Sequence, residues 1–101
     1  MRNAKDEFKN HVERRPRIIA VEILKDDFEV LLKVGYSKEE YLKFLDSLDF
    51  LYDGGYGGQE LYGTIWYEDS SWSERGEYDG SEWWTYKTTP TIPNKLQGEK
   101  D

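Results

Sequence analysis

The chain holds a single histidine, His11, so acid–base chemistry near neutral pH would have to run through it or through strongly shifted carboxylates. His11 lies in a polar stretch near one end, with no serine or cysteine spaced to pair with it as a nucleophile, and reads as a solvated surface residue. Carboxylates are abundant. Asp26-Asp27, Glu39-Glu40 and Glu68-Asp69 are adjacent pairs among 21 Asp and Glu, so no couple stands apart as a glycosidase pair or cation site. Asp79 and Ser81 sit where a calcium loop could begin, but the EF-hand spacing with its twelfth-position Glu is absent, and a turn explains them. Asp53-Gly-Gly-Tyr-Gly-Gly58 has the glycine content of a phosphate cradle. No Lys-Ser/Thr follows it and no strand leads through it into a helix, so it reads as a connector with Tyr56 as its anchor. Cysteine is absent, which removes disulfides, thiolate nucleophiles and Cys-type metal sites. The expectation is therefore a non-enzymatic chain with no catalytic residue, no metal site and no cofactor.

The informative set is aromatic and acidic: Tyr62, Trp66, Glu77, Glu82, Trp84 and Tyr86, interleaved with Arg75. Trp and Tyr dominate interface energetics, so these six are the candidate partner-binding residues. A second reading of the same pattern is structural. With few aliphatics in the chain, Trp84 and its neighbours could pack beneath an N-terminal element and complete the core, with Arg75 stacked on Trp66 or Trp84.

These side chains need a sheet to carry them. From Leu61 the pattern is three short strands, Leu61 to Tyr67, Trp72 to Tyr78 and about Glu82 to Lys87, broken by Glu-Asp-Ser-Ser and Asp-Gly-Ser-Glu. Pairing Tyr67 with Trp72 puts Leu61, Gly63, Ile65, Tyr67, Trp72, Gly76, Tyr78 and Trp83 on one face. Tyr62, Thr64, Trp66, Ser73, Arg75, Glu77, Trp84 and Tyr86 then share the other. The second turn has two registers. A two-residue Asp79-Gly80 turn opposes Glu77 to Glu82, whereas a four-residue loop pairs Tyr78 with Trp83 and Glu74 with Lys87 and is preferred; both leave the faces unchanged.

Upstream, Ala4, Phe8 and Val12 recur at helical spacing between Asn3 and about Glu13, and Pro16 ends that helix. Arg17 to Leu24 is β-branched and apolar, and Phe28, Val30, Leu32, Val34 and Tyr36 alternate. With Asp26-Asp27 as the turn, Ile23 faces Val30, Val21 faces Leu32 and Ile19 faces Val34. Ser37-Lys-Glu-Glu40 is a capping box that opens a second helix with the stripe Tyr41, Phe44, Leu45, Leu48 and Leu51. That stripe is expected to lie on the first sheet face, where Gly63 and Gly76 allow close approach. The fold class is α+β: N-terminal helix, β-hairpin, and a helix packed on a three-stranded antiparallel meander. Residues 1–93 form one domain, and Asn94 to Asp101 a disordered tail.

Composition sets the context. Hydrophobic content is only 37%, but four Trp, eight Tyr and four Phe can each bury a large area. The net charge of −7 is concentrated in residues 18–82, where five basic residues meet sixteen acids; residues 1–17 carry six basic against three acidic. Such a body repels nucleic-acid phosphate and attracts basic protein surfaces. No apolar run approaches the roughly 18 residues that span a bilayer, and no apolar leader follows Arg2, so a cytoplasmic location is expected.

The run from Gly55 to Tyr67, continued from Trp72 to Trp84, resembles small uncharacterised accessory proteins of tailed bacteriophages over about a third of the chain. The resemblance implies no site residue. It implies a setting, the cytoplasm of an infected host, in which a small acidic protein docks on a basic, nucleic-acid-handling host protein such as a restriction or CRISPR effector. The expected function is thus an inhibitor of host defence, an anti-CRISPR candidate. The alternative is a structural or assembly protein using the aromatic sheet face as a subunit contact, with homo-oligomers as the product.

Overall fold

The computed structural model describes residues 1–26, 28–53 and 58–98. In chain order it has β1 (Arg2–Asn3), α1 (Ala4–Val12), β2 (Ile18–Lys25), β3 (Phe28–Leu32), α2 (Lys38–Ser47), β4 (Leu51–Tyr52), β5 (Tyr62–Tyr67), β6 (Trp72–Tyr78) and β7 (Ser81–Lys87). A 3₁₀ turn, Asn94–Leu96, with exposed side chains follows. The architecture is mixed α/β, two helices with a five-stranded antiparallel sheet of order β3-β2-β5-β6-β7 and a small β1-β4 pair. Hairpin and meander are one sheet, because β2 pairs with β5.

Both helices are built at their N-termini. The Asn3 side chain accepts from the Asp6 amide at 3.0 Å, and Ala4 and Phe8 turn inward. Ser37 and Glu40 form the full capping box, each side chain taking the other's amide at 3.1 Å. Phe44, Leu45 and Leu48 are buried and Tyr41 partly so, as their spacing predicts. Leu51 departs from the stripe. The helix caps at Leu48 and the chain is extended by Leu51, which is 60% exposed.

In the hairpin, Val21 pairs with Leu32 and Ile23 with Val30 as expected, but Ile19 does not meet Val34. A register shift between Ile18 and Ala20 interrupts β2, and β3 stops at Leu32. Gly35, at φ 85°, then turns the chain toward α2. Tyr36 leaves the strand pattern and donates its hydroxyl to the Ile18 carbonyl at 2.7 Å. Asp27 of the expected turn, Tyr56 with Gly54, Gly55 and Gly57, and Glu99 to Asp101 lie outside the described residues.

The β5–β6 connection decides the sheet faces. Trp66, not Tyr67, pairs with Trp72, and Ile65 with Ser73. The Tyr67 amide donates to the Ser71 carbonyl at 3.0 Å, closing a three-residue loop in which Ser70 adopts φ 70°. Asp69 holds that loop by accepting the Ser71 amide at 2.9 Å and the Ser71 hydroxyl. One residue fewer in the loop sends every side chain of β6 and β7 to the opposite face. Ser73, Arg75, Glu82 and Trp84 therefore join Ile65 and Tyr67 beneath the helices, whereas Trp72, Gly76, Tyr78 and Trp83 join Tyr62 and Trp66 on the uncovered face.

The second turn is also the shorter one. Asp79 and Gly80 are both left-handed (φ 53° and 85°), the type I′ geometry that matches strand twist, so Tyr78 pairs with Ser81 and Glu77 with Glu82. The two carboxylates avoid each other. Glu77 accepts the Gly80 amide at 2.9 Å, and Glu82 turns into the core. Neither glycine serves a helix: a Cβ on Gly63 would lie 2.4 Å from the Glu22 carbonyl, and one on Gly76 3.1 Å from the Trp83 indole nitrogen.

The core lies between this covered face and the helices. Phe8 of α1 meets Phe44 of α2 edge-on at 5.3 Å and Trp84 of β7 at 6.2 Å, while α2 packs over β3.

Candidate functional site

Of the six candidate partner-binding residues, the fold brings only Tyr62 and Trp66 together on an accessible face. Glu82 has no exposed surface, Trp84 is 8% exposed, and Tyr86 is half-buried against Tyr67 and Arg15. Glu77 is exposed, but at the turn end of the covered side. The structural reading of Trp84 is the one realised: it packs beneath α1 with the Arg75 guanidinium 5.1 Å from its ring centre.

Glu82 anchors a buried polar cluster. Its Oε1 accepts the Leu61 amide at 3.0 Å and Arg75 Nη2 at 2.8 Å, and its Oε2 accepts the Glu60 amide at 2.7 Å. Arg75 Nη2 also donates to the Tyr52 hydroxyl at 3.0 Å, and its Nη1 lies 3.2 Å from Glu7. Tyr52 donates to Glu7, and Arg2 donates to Glu7 at 3.1 Å and to the Glu82 carbonyl. Burial works against the Arg75 charge, but Glu7, Glu82 and Tyr52 outweigh it and hold the guanidinium above its ordinary range. Burial, aided by donation to Glu7, pushes the Tyr52 phenol up. Every strong contact of this cluster is internal, so it joins α1, β4, β6, β7 and the segment leading into β5.

His11 is not a solvated residue. Its ring stacks on Trp84 at 6.1 Å, and Nε2 lies 2.7 Å from Ser73 Oγ, which in turn lies 2.8 Å from the Tyr67 hydroxyl. Burial, then Arg15, lowers its pKa to about 4, with Glu7 opposing and Arg75 adding to the shift. A serine within reach of a histidine is the geometry of an activated nucleophile. Ser73, however, has no exposed surface, and the grooves beside β3, beside Tyr36 and at the β2–β3 turn do not reach it. The pair is a packing joint between α1 and β6. Among the described residues no group of three or more His, Cys, Asp or Glu could hold a metal ion.

The accessible feature is the uncovered sheet face. Trp66 pairs across the strands with Ala20 and Trp72, Tyr62 with Leu24, and Trp83 lies over Gly76. Trp66 is 43% exposed and Trp83 40%, beside exposed Leu24, Leu31 and Tyr62. Glu22, Glu29 and Glu74 share the face with Lys87, whose ammonium is paired diagonally with Glu74. The Glu74–Lys87 contact expected from direct pairing is therefore made, although Glu74 stands opposite Thr85.

Trp72, Tyr78 and Trp83 are the residues that strand alternation misplaced. The signal that could have found them is Asp69, two residues before Ser71, since an Asp side chain capturing the amide two positions on marks a tight turn. No protein-family model, no curated protein and no solved structure matches the chain. Among the described residues no helix is long and apolar enough to cross a membrane.

Proposed function

We propose that the chain is a non-enzymatic binding protein that docks its uncovered sheet face on a basic surface of a partner protein. The observation that supports this is asymmetry: one face of the five-stranded sheet is sealed by two helices, and the other leaves Trp66, Trp83 and Tyr62 half-exposed among carboxylates. Half-exposed indoles on rigid strands are pre-organised anchors, because little side-chain freedom is left to lose on binding. The acidic surplus of residues 18–82 selects a basic partner. The resemblance of the Gly55 to Trp84 run to phage accessory proteins favours a partner among host proteins that handle nucleic acid. An inhibitor of a restriction or CRISPR effector has this chemistry.

Capture from host lysate, followed by mass spectrometry, tests the reading when run with the natural chain beside Trp66→Ala/Trp83→Ala. Recovery of a basic nucleic-acid-handling protein by the natural chain, lost with the double variant, is the expected result. Recovery that survives the double variant would remove the uncovered face from the function. Self-association through the aromatic face, with no foreign partner, would favour the assembly reading instead.

A further inference from the structure

The sheet has two edges, and they are finished differently. At β7, the Glu82 carbonyl points away from β6 and is taken by the Arg2 side chain, while Arg15 lies 4.3 Å from the centre of the Tyr86 ring. That edge is blunted by the N-terminal segment. The β3 edge has no such cover among the described residues. Lys25 pairs with Phe28 with only two residues between them in the chain, so they form a hydrogen-bonded pair, as do Ile23 with Val30 and Val21 with Leu32. The amides and carbonyls of Glu29 and Leu31 therefore face outward, and no loop or cap among the described residues takes them up. A groove of about 400 Å³ runs along this edge, between Glu29 to Lys33 and the α2 side chains Glu40, Lys43, Phe44 and Ser47. Leu31 in the groove, and Phe28 and Val34 on either side of it along the chain, are exposed, which is unusual for an edge left to water.

The sequence of the edge matches itself. If a second copy runs antiparallel with its Leu31 opposite Leu31, then Glu29 falls opposite the second copy's Lys33 and Val30 opposite its Leu32. Glu29 and Leu31 face outward within β3, and Lys33, the next residue after the strand, takes the same orientation when pairing extends β3 by one residue, so these three are the hydrogen-bonded positions on both strands. Glu29 and Lys33 form two symmetric ion pairs on the uncovered side, and Val30 and Leu32 meet on the helix side. Other registers lose this match. Sliding one strand by two residues sets Glu29 against Leu31, and by four sets Glu29 against Glu29.

We propose that two copies of the chain join edge to edge through β3, forming a ten-stranded antiparallel sheet with a two-fold axis at Leu31. The contact is isologous, so it closes at the dimer and does not propagate. The contact takes the outer margin of the uncovered face, where Glu29 and Leu31 lie, and leaves Trp66 on β5 and Trp83 on β7 free in both copies.

Sedimentation velocity of the full chain over a concentration series tests this, with circular dichroism as the check that each variant is folded. The natural chain is expected to dimerise reversibly. Glu29→Lys and Lys33→Glu each set like charges opposite one another at two places and should raise the dimer Kd by about tenfold or more. The combined Glu29→Lys/Lys33→Glu variant restores opposite charges and should recover the natural Kd, while Trp66→Ala should not change it. A chain that stays monomeric overturns the proposal and leaves the groove to a strand of another protein. A dimer indifferent to the single reversals, or not rescued by the double one, overturns it as well.

Discussion

Arg75 and Glu82 show how a sheet tolerates charge in its interior. The guanidinium and the carboxylate are both removed from water, which is expensive, and the geometry compensates through two amides on the carboxylate and contacts from Arg75 to Tyr52 and Glu7. Arg75→Met leaves the Glu82 charge buried without its counter-ion, and urea denaturation should show a loss of about 3–5 kcal/mol. Adding Glu82→Gln to that variant should recover part of the loss, because the uncompensated charge is gone. If Arg75→Met alone leaves stability unchanged, the cluster is not closed as described. His11 supplies the pH dependence. Its folded pKa, about 4, lies below the unfolded value of 6.5, so the unfolded chain takes up a proton that the folded one refuses. The stabilising contribution is present above about pH 6.5 and lost as pH falls toward 4. Because the ring is only half-buried, the slope should stay below the full ~1.4 kcal/mol per pH unit of one proton. His11→Gln should flatten the stability profile between pH 6.5 and 4.5, above the range in which most carboxylates titrate. A natural chain whose stability is flat there would contradict the burial of His11.

At the scale of elements, α2 and the β2–β3 hairpin were legible because their signals are local. A capping box fixes where the helix starts, four apolar positions fix its inner face, and alternation fixes which strand residues point inward. Leu48 has no exposed surface and Leu51 is 60% exposed, so calorimetry should separate them. Leu48→Ala is expected to lose about 2–5 kcal/mol and Leu51→Ala no more than about 0.5. Equal losses would mean that the helix continues through Leu51. The faces of β6 and β7 were not legible, since they hinge on whether a loop holds three residues or four. Ser70 takes the left-handed conformation that glycine usually provides, so composition alone did not reveal the shorter loop. The Glu77–Glu82 pairing misled for a related reason. Like charges opposed on a strand pair look unfavourable until one of them finds an arginine on the covered face. The candidate site inherited the first error alone, since either register of the second turn leaves the faces unchanged, and that is why Tyr62 and Trp66 survive in it while Glu82 and Trp84 have become core.

At the scale of the whole molecule, charge and shape act on different steps of binding. The surplus of acids in residues 18–82 acts at a distance and is screened over about 10 Å at 0.1 M salt, so under the proposed function it would govern how fast a basic partner arrives. The indoles of Trp66 and Trp83 act only on contact and would govern how long such a partner stays. Surface plasmon resonance against the captured partner should therefore separate two classes of variant. Glu22→Lys/Glu74→Lys, on the uncovered face, should slow association and weaken its salt dependence with little change in dissociation. Trp66→Ala or Trp83→Ala should instead speed dissociation and leave the salt dependence of association intact. Glu77→Lys is an informative third variant, because Glu77 is exposed yet lies on the covered side and serves mainly to hold the Gly80 amide. It should change association no more than one unit of net charge does anywhere on the surface. If Glu77→Lys slows association as strongly as the uncovered-face pair, the partner meets the turn end of β6 and β7. If affinity is indifferent to salt and to all three charge changes, the carboxylates are a solvated surface and the indoles alone carry the contact.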